Sequence, residues 1–458
     1  MLNNKYDLII IGGGPAGLAA AIGAREAGIN RVLVVERLPK LGGVLYQCIH
    51  MGFGLQYFGE ELSGPEFADR LIERVHALDI EIMTNSSALK IERDNKIIIA
   101  SAEKGIVFLE TKALIVASGC RERPLWSLPV AGTRPSGVYT AGAAQRMINL
   151  RGYDIGDNVI ILGSGDIGLI MARRLKLLGK NVIAVIEQQP YCTGLLRNKI
   201  QCIDDFNIPL QTGHTITEIS GDERITGVTV CPVDNDLSPI LEKNMYIECD
   251  TLITSIGLIP EIELLDTITK DGNLQVNENM QTQLPWIFIC GNSLYVHDLV
   301  DDVVCEANKT GKFAANYIKG LLPQKPVKAS LTSTYMQKKL AANEIVCILC
   351  PKSCVLQLKG DSVTGAGCSR GEEFVYSEIS CPKRYITYTI GMEGNPHLRL
   401  PVRSTRPVAI NKIYGIIREI NKNTAPPETV SGQVIIENVG ETGADIMSTT
   451  SSKNLIKI

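Results

Sequence analysis

A chain of 458 residues is long enough for two or three domains, each with its own buried core. Its 45% hydrophobic and 21% charged content is that of a globular protein, and a net charge of −3 argues against a nucleic-acid or anionic-membrane partner. Apolar stretches are broken by glycine or charge before they reach spanning length, and the first strand starts too early for a signal peptide. No transmembrane segment is therefore expected, and a reducing cytoplasm is the expected compartment.

Asp7 to Ile11 is a short Ile-rich run, the length of a buried strand and too short for a helix. Gly12-Gly13-Gly14-Pro15-Ala16-Gly17 then turns the chain into an Ala-rich helix from about Pro15 to Ala27, which Gly28 ends. Arg31 to Val35 is a second buried strand, closed by Glu36. Gly12 makes the turn, Gly14 lacks a side chain that would keep backbone from a pyrophosphate, and Gly17 lets helix and strand pack closely. The helix start offers free N–H groups and a partial positive charge, and Glu36 lies where a carboxylate accepts both hydroxyls of an adenosine ribose. These residues predict a dinucleotide site.

Further on, Phe67 to Leu78 reads as a helix and Ile80 to Thr111 as short β segments. Ala113 to Gly119 is a buried strand ending in small residues. Ser118 and Gly119 suit a chain passing close beneath a cofactor, although an ordinary strand and turn would look the same. From Asn158 the first pattern recurs: strand Val159 to Leu162, turn Gly163-Ser164-Gly165-Asp166-Ile167-Gly168, helix Leu169 to Leu178, strand Val182 to Ile186, and Glu187. Gln188 and Gln189 follow Glu187 with no basic residue for a 2′-phosphate, which favours NAD over NADP. Cys249 to Gly257 resembles the strand ending at Gly119 and is expected to return the chain to the first domain. Trp286 to Asn292 is another buried strand running into Gly291, followed by His297 and a helix from about Leu299 to Ile318.

Together, GGGPAG with Glu36, ALIVASG, GSGDIG with Glu187, and IFICGN before a helix resemble the pyridine nucleotide-disulfide oxidoreductase-like family, FAD/NAD(P)-dependent enzymes with two dinucleotide-binding folds, over Met1 to about Gly320. The resemblance implies an α/β protein of two Rossmann-like domains, the second inserted in the first. FAD would occupy the first site and NAD(H) the second. It also implies that the loop Arg37 to Gly43 approaches the flavin, and that the helix start near Leu299 faces the flavin pyrimidine edge and stabilises negative charge on the reduced ring. The family commonly has an aspartate for an FAD ribityl hydroxyl where this chain has Asn292, whose amide oxygen can still accept that bond. Disulfide reductases of the class carry two cysteines where GGVLYQCIHMGFG holds Cys48 alone, so a redox dithiol is not expected there. QCIHMGFG, RNKIQCIDDFNIPL and CGNSLYVHDLVD resemble a narrower group. These are flavoprotein subunits associated with anaerobic-type glycerol-3-phosphate dehydrogenases, related to subunits of opine, proline and cyanide-forming amine dehydrogenases. That likeness implies a partner dehydrogenase subunit.

The expected division is 1–120 and 250–320 for the FAD-binding domain, 121–249 for the inserted NAD-binding domain, 321–342 for a Pro- and Lys-containing linker, and 343–458 for a small Cys-rich C-terminal domain. Five of the thirteen cysteines fall between Cys347 and Cys381. Cys347, Cys350, Cys354 and Cys368 have the spacing C-x2-C-x3-C-x13-C, which can converge on one thiophilic centre, an iron–sulfur cluster or zinc; free thiols are the alternative. The domain resembles an uncharacterised module found beside such dehydrogenases, which supplies no chemistry. Arg384, Arg399, Arg403 and Arg406 are read as a solvated face or a docking face for an acidic partner, Gln433 to Glu437 as the last strand, and Ser448 to Ile458 as a loose tail.

The function these readings support is hydride transfer between nicotinamide and flavin at sites facing each other across the domain junction. Electrons would be exchanged with a partner dehydrogenase or carrier through the cysteine-bound centre, in glycerol 3-phosphate or amine and amino-acid oxidation. His50 and His297 are the histidines expected near the flavin, as proton relays or as plain hydrogen-bonding groups. Two alternatives stay open: an NADH oxidase or peroxidase using Cys48, and a non-catalytic FAD-binding scaffold subunit.

Overall fold

The computed structural model describes residues 4–92, 94–266, 274–322, 344–359 and 362–455. The expected linker falls, from residue 323 to 342, outside the described residues. The chain forms two compact units. One is made of Met1–Arg121, Leu258–Thr334 and Thr450–Ile458, the other of Glu122–Gly257 and Tyr335–Thr449.

In the first unit, strands Glu81–Met83, Val32–Val35, Lys5–Ile11, Gly105–Val116 and Ile287–Ile289 run parallel in that spatial order. Lys96–Ser101 and Ser86–Ile91 extend the sheet as an antiparallel meander beside the long strand Gly105–Val116. Runs such as LIII and ALIV are apolar on both faces because helices or the meander cover both sides. Ile11 is in register with Val35 on one side and Val116 on the other, and Val116 with Ile289. The residues just beyond these ends therefore line up along one edge of the sheet: Gly12, Glu36, Ala117 and Cys290. Strand order reverses at Lys5–Ile11, and ligands of open α/β sheets bind outside such a switch point.

The helices Pro15–Glu26 and Val300–Ile318 cross where both have glycine. A Cβ on Gly23 would lie 2.2 Å from the Asn308 carbonyl oxygen, and one on Gly311 2.0 Å from that of Ala20. The helix expected from Phe67 begins earlier, at Gly64, because Ser63 and Glu66 form a capping box.

The second unit repeats the plan with parallel strands Val138–Thr140, Thr251–Thr254, Asn158–Leu162, Asn181–Glu187 and Leu210–Thr212. Thr251–Thr254, expected to return to the first domain, pairs instead between Val138–Thr140 and Asn158–Leu162. All four of its residues are buried, which a strand achieves with a neighbour on each side, and the first unit resumes at Leu258. An antiparallel sheet of His214–Gly221, Ile225–Pro232 and Met245–Glu248 adjoins.

The C-terminal part of the second unit holds a hairpin (Glu344–Val346 with Val355–Lys359), helix Ser369–Ser380, and a sheet around Thr387–Met392 and Asn395–Ser404. Two expectations fail here. Arg384 is neither solvated nor a docking group: its side chain is 3% exposed and forms paired bonds to Asp205 (2.6 and 3.0 Å) and Glu378 (2.8 and 2.6 Å). Nor is the tail loose as far as Leu455, the last described residue. Ile446–Ser448 is a strand, and Thr450 and Asn454 hydrogen-bond Asp69 at 2.7 and 3.1 Å, with Leu455 buried. Single-residue composition shows neither, because both depend on partners far away in sequence.

Candidate functional site: two glycine turns and a cysteine hairpin

The two turns are built by one hydrogen-bond scheme. Gly12 N–H donates to Val35 O at 2.8 Å, and Gly163 N–H to Ile186 O at 2.7 Å. Gly12 and Gly163 both have φ near +100°, and a side chain on either would strike the adjacent crossing strand, at Ala117 O or Ser255 O. Gly17 and Gly168 press on the carbonyls of Gly12 and Gly163, where a Cβ would sit 1.7 and 2.6 Å away.

The two acids are used alike. Glu36 is 6% exposed; its Oε2 accepts Gly13 N–H and its Oε1 Leu38 N–H, both at 2.7 Å. Glu187 is also 6% exposed, and accepts Ser164 N–H at 2.9 Å and Gln189 N–H at 2.8 Å. It further accepts the Ser164 and Thr193 hydroxyls at 2.6 and 3.2 Å. A carboxylate has about four acceptor directions, so Glu36 keeps more of its capacity for a ligand than Glu187 does.

The first turn suits a pyrophosphate. Helix Pro15–Glu26 has no side-chain cap at Gly14 and no acid in its first turn, and a Cβ on Gly14 would meet nothing within 4 Å. Its partial positive end thus faces open space. Gly42 N–H donates to Gly13 O at 2.8 Å, and Gly43 (φ +56°) lies close enough that its Cβ would be 3.1 Å from Gly14 Cα, so the end of loop 37–43 packs on the turn. Ala16 lies against the turn that follows strand Ile287–Ile289, since a Cβ on Gly291 would be 2.7 Å from its methyl. Arg37 points to Glu261 at 3.2 Å and stays largely in solvent. Ser118 donates to Glu261 O at 2.6 Å, and Gly119 N–H to Ser293 Oγ at 2.7 Å. In the second turn Gly165 is likewise uncapped, but Asp166 stands in the first helical turn and accepts Leu195 N–H at 2.8 Å. Ile167, next to it, is half-buried, and Gly168 N–H reaches Ser255 Oγ at 3.2 Å.

The structure gathers Asn292 and His297 with a residue the sequence did not single out, Glu306. Asn292 Oδ1 accepts His297 N–H at 3.0 Å and lies 3.3 Å from its Nδ1; His297 Nε2 lies 3.1 Å from Glu306 Oε2; Glu306 Oε1 accepts Gly291 N–H at 2.7 Å. Tyr295 stacks on the imidazole at 4.0 Å, and its hydroxyl is pushed up to about 12, first by burial and then by Glu306. Glu306 is only 10% exposed, which the sequence does not show. His50 sits elsewhere in this unit, its Nδ1 donating to Met51 O at 3.0 Å and its ring tilted on Phe53. Asp301, in the first turn of helix Val300–Ile318, accepts Gly54, Gln56 and Tyr57 N–H at 2.9 to 3.0 Å. That helix start therefore carries a carboxylate committed to loop 54–57. The Cys48 thiol is pushed up to about 12 by burial, so it carries almost no thiolate at neutral pH.

Cys347 and Cys354 close the base of the hairpin, with Cys347 N–H donating to Cys354 O at 2.8 Å. Cys347 is 4% exposed; burial pushes its thiol up, and Cys350, Cys354 and Cys368 add to the rise, so the four are electrostatic neighbours. Gly367 brings the fourth close, since a Cβ there would be 3.2 Å from Cys354 Sγ. Cys368 caps helix Ser369–Ser380 and is held below the usual thiol range by Gly371 N–H and by Arg370. The donor set is one that soft metals take. Among the described residues, however, no three such groups are arranged as a metal-holding shell.

Two dinucleotide folds, each with a glycine turn, a helix start and an acid ending the second strand, define a two-dinucleotide-binding α/β protein. The family model for pyridine nucleotide-disulphide oxidoreductases matches residues 6–307, and the chain belongs to that family of NAD(P)H-dependent flavin oxidoreductases. A second model, described as a protein of unknown function (DUF1667), matches residues 369–450. Over 317 residues the chain is 28% identical to the hydrogen cyanide synthase subunit HcnB of Pseudomonas protegens, covering 62% of this chain and 65% of that one. It is 28% identical over 303 residues to an NADH dehydrogenase of Ferdinandcohnia aciditolerans, covering 64% and 54%. The matches thus span less than two thirds of those relatives. In fold it is similar to T. acidophilum thioredoxin reductase, with a TM-score of 0.55 and 20% identity over 69% of this chain and 99% of that one. No helix among the described residues is long and apolar enough to cross a membrane.

Proposed function

We propose that this chain is an FAD-dependent oxidoreductase that takes electrons from, or returns them to, NAD(H), and exchanges them with a partner dehydrogenase subunit or another carrier. The observation that carries this reading is the recurrence of one backbone-to-carboxylate scheme at Glu36 and Glu187. Bound FAD and NAD(H) supply the hydride chemistry. The residues of the chain hold and orient them. Glu36 and the bare helix start at Gly14 are the ribose and pyrophosphate groups of the first site, and Glu187 with Gly163, Gly165 and Gly168 those of the second. The Asn292–His297–Glu306 chain fixes the turn after Ile287–Ile289 and can hold a proton at His297 Nε2.

NAD is favoured over NADP because Glu187 is followed by two glutamines, one of them, Gln188, tied to Leu237 O at 2.8 Å. A partner is supported by the likeness to a relative named as a subunit, and by the resemblance to subunits associated with glycerol-3-phosphate, opine and proline dehydrogenases. The peroxidase alternative is disfavoured by the thiol of Cys48, and the scaffold alternative by the intact second turn. Cys347, Cys350, Cys354 and Cys368 are proposed as ligands of zinc or an iron–sulfur cluster, on donor chemistry and proximity alone.

Anaerobic purification, a visible spectrum and elemental analysis, followed by addition of NADH, test the reading. Flavin bands bleached by NADH support it. Flavin that NADH leaves oxidised contradicts it and restores the scaffold. Metal that disappears in Cys347→Ser supports the cysteine site, and metal-free protein overturns that part alone.

A further inference from the structure

Within the second unit, a cleft of about 320 Å³ lies between helix Asp166–Leu177, the end of helix Ala141–Arg151, and the strands Thr387–Met392 and Asn395–Ser404. It is removed from the turn at Gly163, because Arg174 and Leu178 line it from the far end of the helix that Asp166 begins.

Its chemistry is cationic and lacks a counter-charge. Arg174 is 4% exposed; its Nε donates to Asn149 Oδ1 and its Nη2 to Thr389 Oγ1, both at 2.8 Å and both neutral. Among the described residues, Arg174 Nη1 is the buried side-chain polar atom with no hydrogen-bond partner. The guanidinium lies 4.3 Å from the Tyr388 ring centre. Arg399, also in the lining, bonds the Thr389 carbonyl at 2.9 Å and hydroxyl at 3.4 Å, again neutral groups. Burial pushes both guanidinium groups down, Tyr388 partly offsets this at each, and Arg399 and Arg173 depress Arg174 further. The one carboxylate in the lining, Asp154, is held by Lys180 at 2.7 and 2.8 Å, and Asp157 also takes that ammonium. Buried cations are normally paired with an acid. Arg384, elsewhere in this unit, has two carboxylates.

We infer that this cleft is a binding site for a small organic oxyanion, a carboxylate or phosphate monoester. Its head supplies the counter-charge for Arg174 and Arg399, and its body lies on Ile148, Leu175 and Leu178. The volume is at the low end for small-molecule sites, which run from about 300 Å³ upward. The site is separate from the nucleotide turns and does not depend on the redox reading.

The test uses FAD-loaded protein saturated with NAD+, so that both dinucleotide sites are filled. Inorganic phosphate and butyrate are each compared with chloride at matched ionic strength, by thermal melting and by calorimetric titration. Binding of either probe to the wild type, weakened about tenfold or more in Arg174→Met and in Arg399→Gln, is expected for a lost charge-assisted contact. Phosphate binding alone identifies a phosphate site, and butyrate binding alone a carboxylate site. Equal shifts in wild type and both variants, or no shift against chloride with either probe, overturn the proposal. Each variant is judged by its own difference between probe and chloride, and Arg399→Gln carries the test if Arg174→Met does not fold.

Discussion

The first and second glycine turns share a backbone scheme but differ in what fills them. Around Glu36 only backbone N–H groups approach, and the helix start at Gly14 has no cap and no acid. Around Glu187 two hydroxyls, from Ser164 and Thr193, take up acceptor capacity, and Asp166 puts a negative charge at the helix start. The second turn is therefore largely satisfied without a ligand, whereas the first presents an uncompensated positive end. That difference suits a resident cofactor at the first site and an exchanging one at the second.

The largest effect is expected from Glu36→Gln. Its amide must set an NH2 against either Gly13 N–H or Leu38 N–H, leaving a buried donor unmet at about 1–3 kcal/mol. The purified variant should lose most of its flavin, measured by absorbance per chain; full retention would break the assignment of the first turn. Glu187→Gln meets the same conflict, at Ser164 N–H or Gln189 N–H, although the Ser164 and Thr193 hydroxyls can reverse and accept. It should keep its flavin but need roughly tenfold more NADH for half-reduction, the equivalent of about 1.4 kcal/mol. The smallest change is expected from Asp166→Asn, which keeps an acceptor for Leu195 N–H while removing charge from the helix start. NADH should bind up to about fivefold tighter, from roughly 0.3–1 kcal/mol of helix-end electrostatics. Weaker binding would place Asp166 in direct contact with the nucleotide instead.

Both turns were legible in the sequence because a dinucleotide fold is local: strand, glycines, helix and acid fall within about thirty residues. The groups that complete them were not. Glu261 and Ser293 reach Ser118 and Gly119 from far along the chain, and Glu306 reaches Gly291 from the following helix, contacts that no local motif specifies. The arginines of the C-terminal part misled for the same reason. Arg384 looks like a surface residue until Asp205 and Glu378 are placed beside it, and Arg174 sits in a helix whose start alone drew attention. The cysteine spacing was plain, yet spacing gives ligands an opportunity to converge without fixing their directions, and the thiols here are neighbours without a closed shell. Cys48 needed the structure as well, since its burial decides its reactivity.

The contrast between the turns is tested most directly by retention. Protein loaded with FAD and NAD+ is passed through a gel-filtration column in nucleotide-free buffer, and both nucleotides are measured in the eluted peak. FAD near one per chain with NAD+ lost is the predicted result. Loss of FAD with NAD+ retained, or equal retention of the two, would contradict a resident first site and an exchanging second one.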